Sequence, residues 1–96
     1  MYSIYILHSD ALDRYYIGQT NDISRRMLEH NQLSTDTYTS KFRPWTVALC
    51  VEISPRRSDA VRVELYIKSM KSKVYVRRLV DNPALINEIK HLLGII

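Results

Sequence analysis

The chain has 96 residues, with 14 Lys and Arg against 10 Asp and Glu, a net charge of +4 and a pI near 9.4. That length suits one domain, residues 1–96, whose core must draw on nearly all of its apolar side chains. There is no apolar run near the roughly 20 residues that span a bilayer, no basic-then-apolar leader, and only Cys50, which cannot form an internal disulfide; a cytoplasmic protein without membrane contact is expected.

Residues 2–8, YSIYILH, contain neither Gly nor Pro and predict a central strand, with Ile4 and Ile6 on one face and Ser3, Tyr5 and Leu7 on the other. Residues 9–13 are turn-prone, and 14–18 return as a second strand that stops at Gly18, which gives an antiparallel hairpin. If the strands pair symmetrically about the loop, Leu7 faces Arg14 and Tyr5 faces Tyr16, so two phenols share one face. A polar turn, Gln19-Thr20-Asn21-Asp22, follows, and Asn21 or Asp22 suits the cap of a helix buried through Ile23, Met27 and Leu28. Arg26 stands at the margin of that stripe, one turn from both Asp22 and His30.

Residues 32–43 are polar and aperiodic and predict a loop, with Lys41 and Arg43 near its end. After Pro44, Trp45, Val47, Leu49 and Val51 alternate with Thr46, Ala48, Cys50 and Glu52, the pattern of a half-buried strand ended by Pro55. Ser58 and Asp59 open a helix whose apolar stripe is Ala60, Val63, Ile67 and Met70. Glu64 lies on or against that stripe, where a carboxylate is costly without a partner or a metal; an i,i+4 pair with Lys68 on a solvated face is the plainer alternative. Residues 72–80 fit a helix or a strand, and Asn82-Pro83 leads into a terminal helix with Leu85, Ile86, Ile89, Leu92 and Leu93 inside, ending near Gly94.

The charge is uneven. Residues 56–78 carry +6 and the remainder about −2, which points to a polyanionic partner, nucleic acid being the usual one, or else to a solvated basic face. One cysteine and three scattered histidines (His8, His30, His91) form no zinc set, and two glycines, Gly18 and Gly94, make no phosphate loop. Tyrosines beside a turn, arginines on the next helix and one later glutamate suit phosphodiester cleavage. A phenol moves a proton or orients water, an arginine stabilises phosphate charge, and a carboxylate holds a magnesium ion completed by waters and phosphate oxygens.

These residues resemble the GIY-YIG nuclease family. The second signature stands as Tyr16-Ile17-Gly18, and the first reads Ser3-Ile4-Tyr5, with serine in place of glycine. Arg26 follows ten residues after Tyr16 in a helix ending Glu29-His30-Asn31, Lys41, Arg43, Pro44 and Trp45 resemble the lead into the third strand, and Glu64 sits in VRVELYIKSMKS. The likeness covers about residues 3–73. It implies an α+β fold, a three-stranded antiparallel sheet flanked by helices, and Mg²⁺-dependent cleavage of DNA, with Mn²⁺ as a substitute. By position it makes Tyr5, Tyr16, Arg26 and Glu64 catalytic: one tyrosine as base or water-positioning group, Arg26 on the scissile phosphate, Glu64 on the metal. The expected nucleic-acid contacts are His30, Lys41, Arg43, Lys68, Lys71 and Lys73. Small stand-alone members lack added recognition modules, so the substrate is expected to be single-stranded, branched or damaged DNA in repair or recombination, or to be chosen by a partner protein. The alternatives are a non-catalytic nucleic-acid-binding module of the same fold and a domain that docks an acidic protein.

Overall fold

A computed structural model describes residues 1–33 and 41–96. Residues 34–40, in the middle of the polar segment predicted as a loop, lie outside the described residues. Three strands, β1 (Tyr2–Ser9), β2 (Arg14–Thr20) and β3 (Thr46–Ser54), form an antiparallel sheet in the order β2-β1-β3. The helices are α1 (Ile23–Leu28), α2 (Arg57–Ser69), α3 (Lys73–Asp81) and α4 (Leu85–Leu92), and α1 runs into a π-helical turn over Glu29–Leu33. No helix among the described residues is long and apolar enough to cross a membrane.

The central strand buries both faces, as its unbroken apolar run requires. Ile4 and Ile6 lie under the helices, in a core with Leu49 and Ile53 of β3, Ala60, Val63 and Ile67 of α2, Val76 and Leu79 of α3, and Ile86 and Ile89 of α4. Each fully buried Ile or Leu here contributes about 1.5–3 kcal/mol. Tyr5 and Leu7 lie on the opposite face with Trp45, flanked by Tyr16, Ile23, Met27 and Phe42. The ambiguous segment 72–80 is a helix because Val76 and Leu79, three apart, share that core, and Ser72 caps it by accepting from the Tyr75 amide.

Six sequence expectations are corrected. Leu92, expected inside the terminal helix, is exposed as the last residue of α4, beyond the buried pair Ile86 and Ile89. The hairpin register pairs Tyr5 with Gly18 and Leu7 with Tyr16, two residues from the symmetric guess, because the turn is confined to residues 10–13 and β2 continues through Gly18 to Thr20. The strict alternation of β3 breaks where Ile6 pairs with Leu49 but Leu7 with Val47, leaving Ala48 as an extra residue. That bulge sends Trp45 to the Tyr5 face and Leu49 to the helix face, and it leaves Val47 exposed. Leu28 is exposed because α1 ends there and its stripe has no further turn to bury it. Met70 is exposed at the C-cap of α2, past the last buried residue, Ile67. Helix α4 starts at Leu85 rather than at Pro83, the intervening turn being closed by the Leu85 amide on the Asn82 carbonyl.

Candidate active site

The site lies on the Tyr5 face and begins with a space problem. A methyl group at Gly18 would sit 2.4 Å from the Tyr5 hydroxyl oxygen and 2.5 Å from Cζ, so the phenol lies directly over the glycine of the facing strand. Gly18 is needed for room and not for a turn; it is inside β2. Gly18→Ala should therefore cost about 1–3 kcal/mol by overpacking, read by denaturant unfolding, and should lower activity further by moving the Tyr5 hydroxyl. Unchanged stability and activity would show that the ring has slack.

Helix α1 brings Arg26 over this hydroxyl. Asp22 caps the helix by accepting from the Arg25 amide, and Thr20 Oγ1 in turn accepts from the Asp22 amide, which fixes the angle at which the helix leaves the sheet. Arg26 then donates from Nε and from Nη2 to Tyr5 Oη, each at 3.4 Å, and its Nη1 lies 3.5 Å from Glu29.

The π turn after α1 delivers His30, whose Nε2 is 3.0 Å from Tyr5 Oη and whose ring meets Tyr16 edge-on at 4.7 Å. Arg26 can only donate, so the phenolic hydrogen of Tyr5 is free to go to His30 Nε2, which accepts it as a neutral imidazole. Burial, and then the Arg26 charge, hold the His30 pKa below its ordinary value, which favours that neutral form. Burial pushes the Tyr5 pKa up against the opposing pull of its Arg26 hydrogen bonds, so the phenol stays protonated at neutral pH. The turn itself is held by side chains. Asn31 Nδ2 donates to the Trp45 carbonyl at 3.0 Å and its Oδ1 accepts from the Trp45 amide at 2.7 Å; Arg43 donates to the carbonyls of His30 at 2.6 Å and Glu29 at 3.5 Å.

From the other side, α2 presents Glu64 and Lys68. Lys68 Nζ donates to Glu64 Oε2 at 2.6 Å and lies 6.0 Å above the centre of the Tyr16 ring. The Glu64 side chain is only 18% exposed, and its charge reaches Tyr5. Glu64 therefore makes the expected i,i+4 pair with Lys68, but from a largely shielded position and not on a solvated face. The Tyr16 ring is half-buried, 6.3 Å from that of Tyr5, and its hydroxyl makes no hydrogen bond within the described residues.

The structure thus gathers Tyr5, Tyr16, Arg26, His30, Glu64 and Lys68. His30, expected as a contact for nucleic acid, is 5% exposed and belongs with the phenols. Arg43 is half-buried against the π turn, and Lys41 is exposed at the entry to β3. Lys71 and Lys73 lie farther along, in a groove of about 460 Å³ that Lys68 also lines. There Lys73 pairs with Asp13 at 2.7 Å and, with His8, holds the Asp13 carboxyl down to about 2. Asn31 and Gly18 are the positioning residues that sequence reasoning missed. The only sequence signal for Asn31 was its place directly after His30.

Among the described residues no group of three or more His, Cys, Asp or Glu side chains converges on one point, so an ion here would have Glu64 as its protein ligand with water and phosphate oxygens besides. A family model described as the GIY-YIG catalytic domain matches residues 1–77. No curated protein matches the chain at a significant level.

Proposed function

The chain belongs to the GIY-YIG catalytic-domain family, a family of nucleases acting on DNA, and we propose that it is a divalent-metal-dependent endonuclease. The observation that carries this reading is the Tyr5 hydroxyl held between the Arg26 guanidinium and the His30 imidazole, with Glu64 near enough for its charge to act on the phenol. A phenol alone is a poor base at neutral pH. A phenol whose own hydrogen already points at a base is a relay: it takes a proton from the attacking water while passing its own to His30 Nε2, and no free phenolate is required. Tyr5 is fully covered, and Arg26 is among the groups that cover its hydroxyl. Arg26 has long bonds to Tyr5 to exchange for stronger, charge-assisted bonds to the scissile phosphate, and that movement opens the hydroxyl to water. Tyr16, with no acceptor for its proton among the described residues, orients the water or the phosphate.

Glu64 is a hard oxygen donor with one oxygen not engaged by protein among the described residues, and it fits a divalent ion such as Mg²⁺ or Mn²⁺, which supplies neutralisation of phosphate charge when bound. Lys68 shares that carboxylate and stands over Tyr16, so it keeps the Glu64 charge paired and the site cationic before substrate arrives. The substrate structure we favour is single-stranded or branched DNA met in repair or recombination. Purified protein incubated with single-stranded, duplex and branched DNA, with Mg²⁺, with Mn²⁺ or with EDTA, tests the proposal. Metal-dependent cutting is expected; binding without cutting under every metal would make the chain a binding module that has kept the fold.

The relay also predicts a pH profile. It needs His30 neutral, so activity is lost as pH falls through a pKa that lies below the usual histidine value of about 6.5. The acid limb of kcat/KM, followed from about pH 5 to 8, should therefore fall below pH 6.5 and disappear in His30→Gln. An acid limb of the same position in that variant would assign it to another group.

A further inference from the structure

A cleft of about 330 Å³ that also borders Arg26 is lined by Tyr2, Gln19, Asn21, Arg25, Arg26 and Arg57 among others. No carboxylate is in its lining; Glu29 reaches Arg25 at 3.7 Å and Arg26 at 3.5 Å from outside it. Such exposed, loose pairs hold an arginine weakly, and Arg57 has no ion pair or side-chain hydrogen bond within the described residues. Arg57 is also the first residue of α2, whose N-cap, Arg56, gives no side-chain cap, so the positive end of that 13-residue helix adds to the field. Three guanidiniums around one polar cleft strongly favour an anion, and planar forks of donors fit phosphate oxygens. Arg26 is common to this cleft and to the Tyr5 site, so one side chain borders both anion positions. We propose that this cleft binds the phosphate next to the scissile one on the same nucleic-acid strand, with Arg57 and Arg25 as its ligands and Arg26 bridging both. The inference rests on the nuclease reading for the identity of the scissile phosphate. It adds that the enzyme requires strand continuing past the cut on the Arg57 side.

The test is binding of labelled single-stranded DNA by the full chain carrying Glu64→Gln, over a KCl series, with Arg57→Gln, Arg57→Lys and Lys90→Gln compared. Removing one phosphate contact should lower affinity about 10-fold and reduce the salt slope by about 0.7 in Arg57→Gln. Arg57→Lys, which keeps the charge, should recover most of the slope, and Lys90→Gln on α4, an equal change in net charge, should leave it unchanged. A single methylphosphonate walked along the strand then locates the contact, because neutralising the partner phosphate should cost affinity with Arg57 present and little in Arg57→Gln. Equal slopes for Arg57→Gln and Lys90→Gln, or an Arg57→Gln effect that no single neutral phosphate removes, would overturn the subsite. Failure of the nuclease reading shows separately, as DNA that is bound by the unsubstituted chain with metal and never cut.

Discussion

Glu64→Gln is expected to abolish cleavage, by about 10³-fold or more, while leaving the protein folded and still able to bind DNA. The structural cost is small. Among the described residues the carboxylate has one partner, Lys68, whose own side chain is 46% exposed, and pairs of that kind contribute about 0–1 kcal/mol. Glutamine keeps the side-chain volume and can still accept from Lys68. The catalytic cost is large, because an amide is a poor ligand for a hard divalent ion, and the ion's neutralisation of phosphate charge is a matter of several kcal/mol. At about 1.4 kcal/mol per tenfold in rate, losing that term gives the stated factor. Thermal unfolding, DNA binding without metal and cleavage with Mg²⁺ should be measured on one preparation. A variant that unfolds early would mean that Glu64 is structural, and one that cuts as well as the unsubstituted chain would remove it from the metal site.

Strands β1 and β2 and helices α2 and α4 were legible from the unbroken apolar run of β1 and from 3.6-residue stripes through Ala60, Val63 and Ile67 and through Ile86 and Ile89, whereas segment 72–80 fitted a helix or a strand alike. What the sequence hid were departures from a period. Ala48 inserts into β3 and moves Trp45 to the Tyr5 face, which no count of alternating residues reveals. Gly18 looked like a strand terminator because glycine usually marks a turn. Its reason for being glycine is the Tyr5 ring on the facing strand, a contact between residues thirteen apart in sequence. The same register change explains how Tyr5 and Tyr16 meet without being opposed: the rings approach diagonally across the pleat, at 6.3 Å. His30 read as a surface base because it follows Glu29 on a charged helix, whereas the π turn rotates it inward onto the phenols. Residues that act through others, such as Asn31 on Trp45, carry no motif and become visible only as hydrogen bonds.

Tyr5→Phe separates the relay from every reading in which the tyrosines are equivalent. Losing one buried oxygen leaves the ring in place over Gly18, so the fold should lose no more than about 1–3 kcal/mol, the cost of leaving buried donors and acceptors without their partner. The rate should fall about 10²–10⁴-fold, the range for removing a positioned proton-transfer group. Tyr16→Phe, whose hydroxyl has no partner within the described residues, should cost less, and its loss should be shared between KM and kcat. The deciding comparison is the pair with His30. If Tyr5 hands its proton to His30, either substitution breaks the same relay, and Tyr5→Phe combined with His30→Gln should be scarcely slower than Tyr5→Phe alone. The acid limb set by His30 should vanish in Tyr5→Phe as well, since an imidazole with no proton to receive has no titration to report. Losses that multiply in the double variant, or an acid limb that persists without the Tyr5 hydroxyl, would mean that His30 serves the phosphate directly and that the proton leaves the water by way of Tyr16.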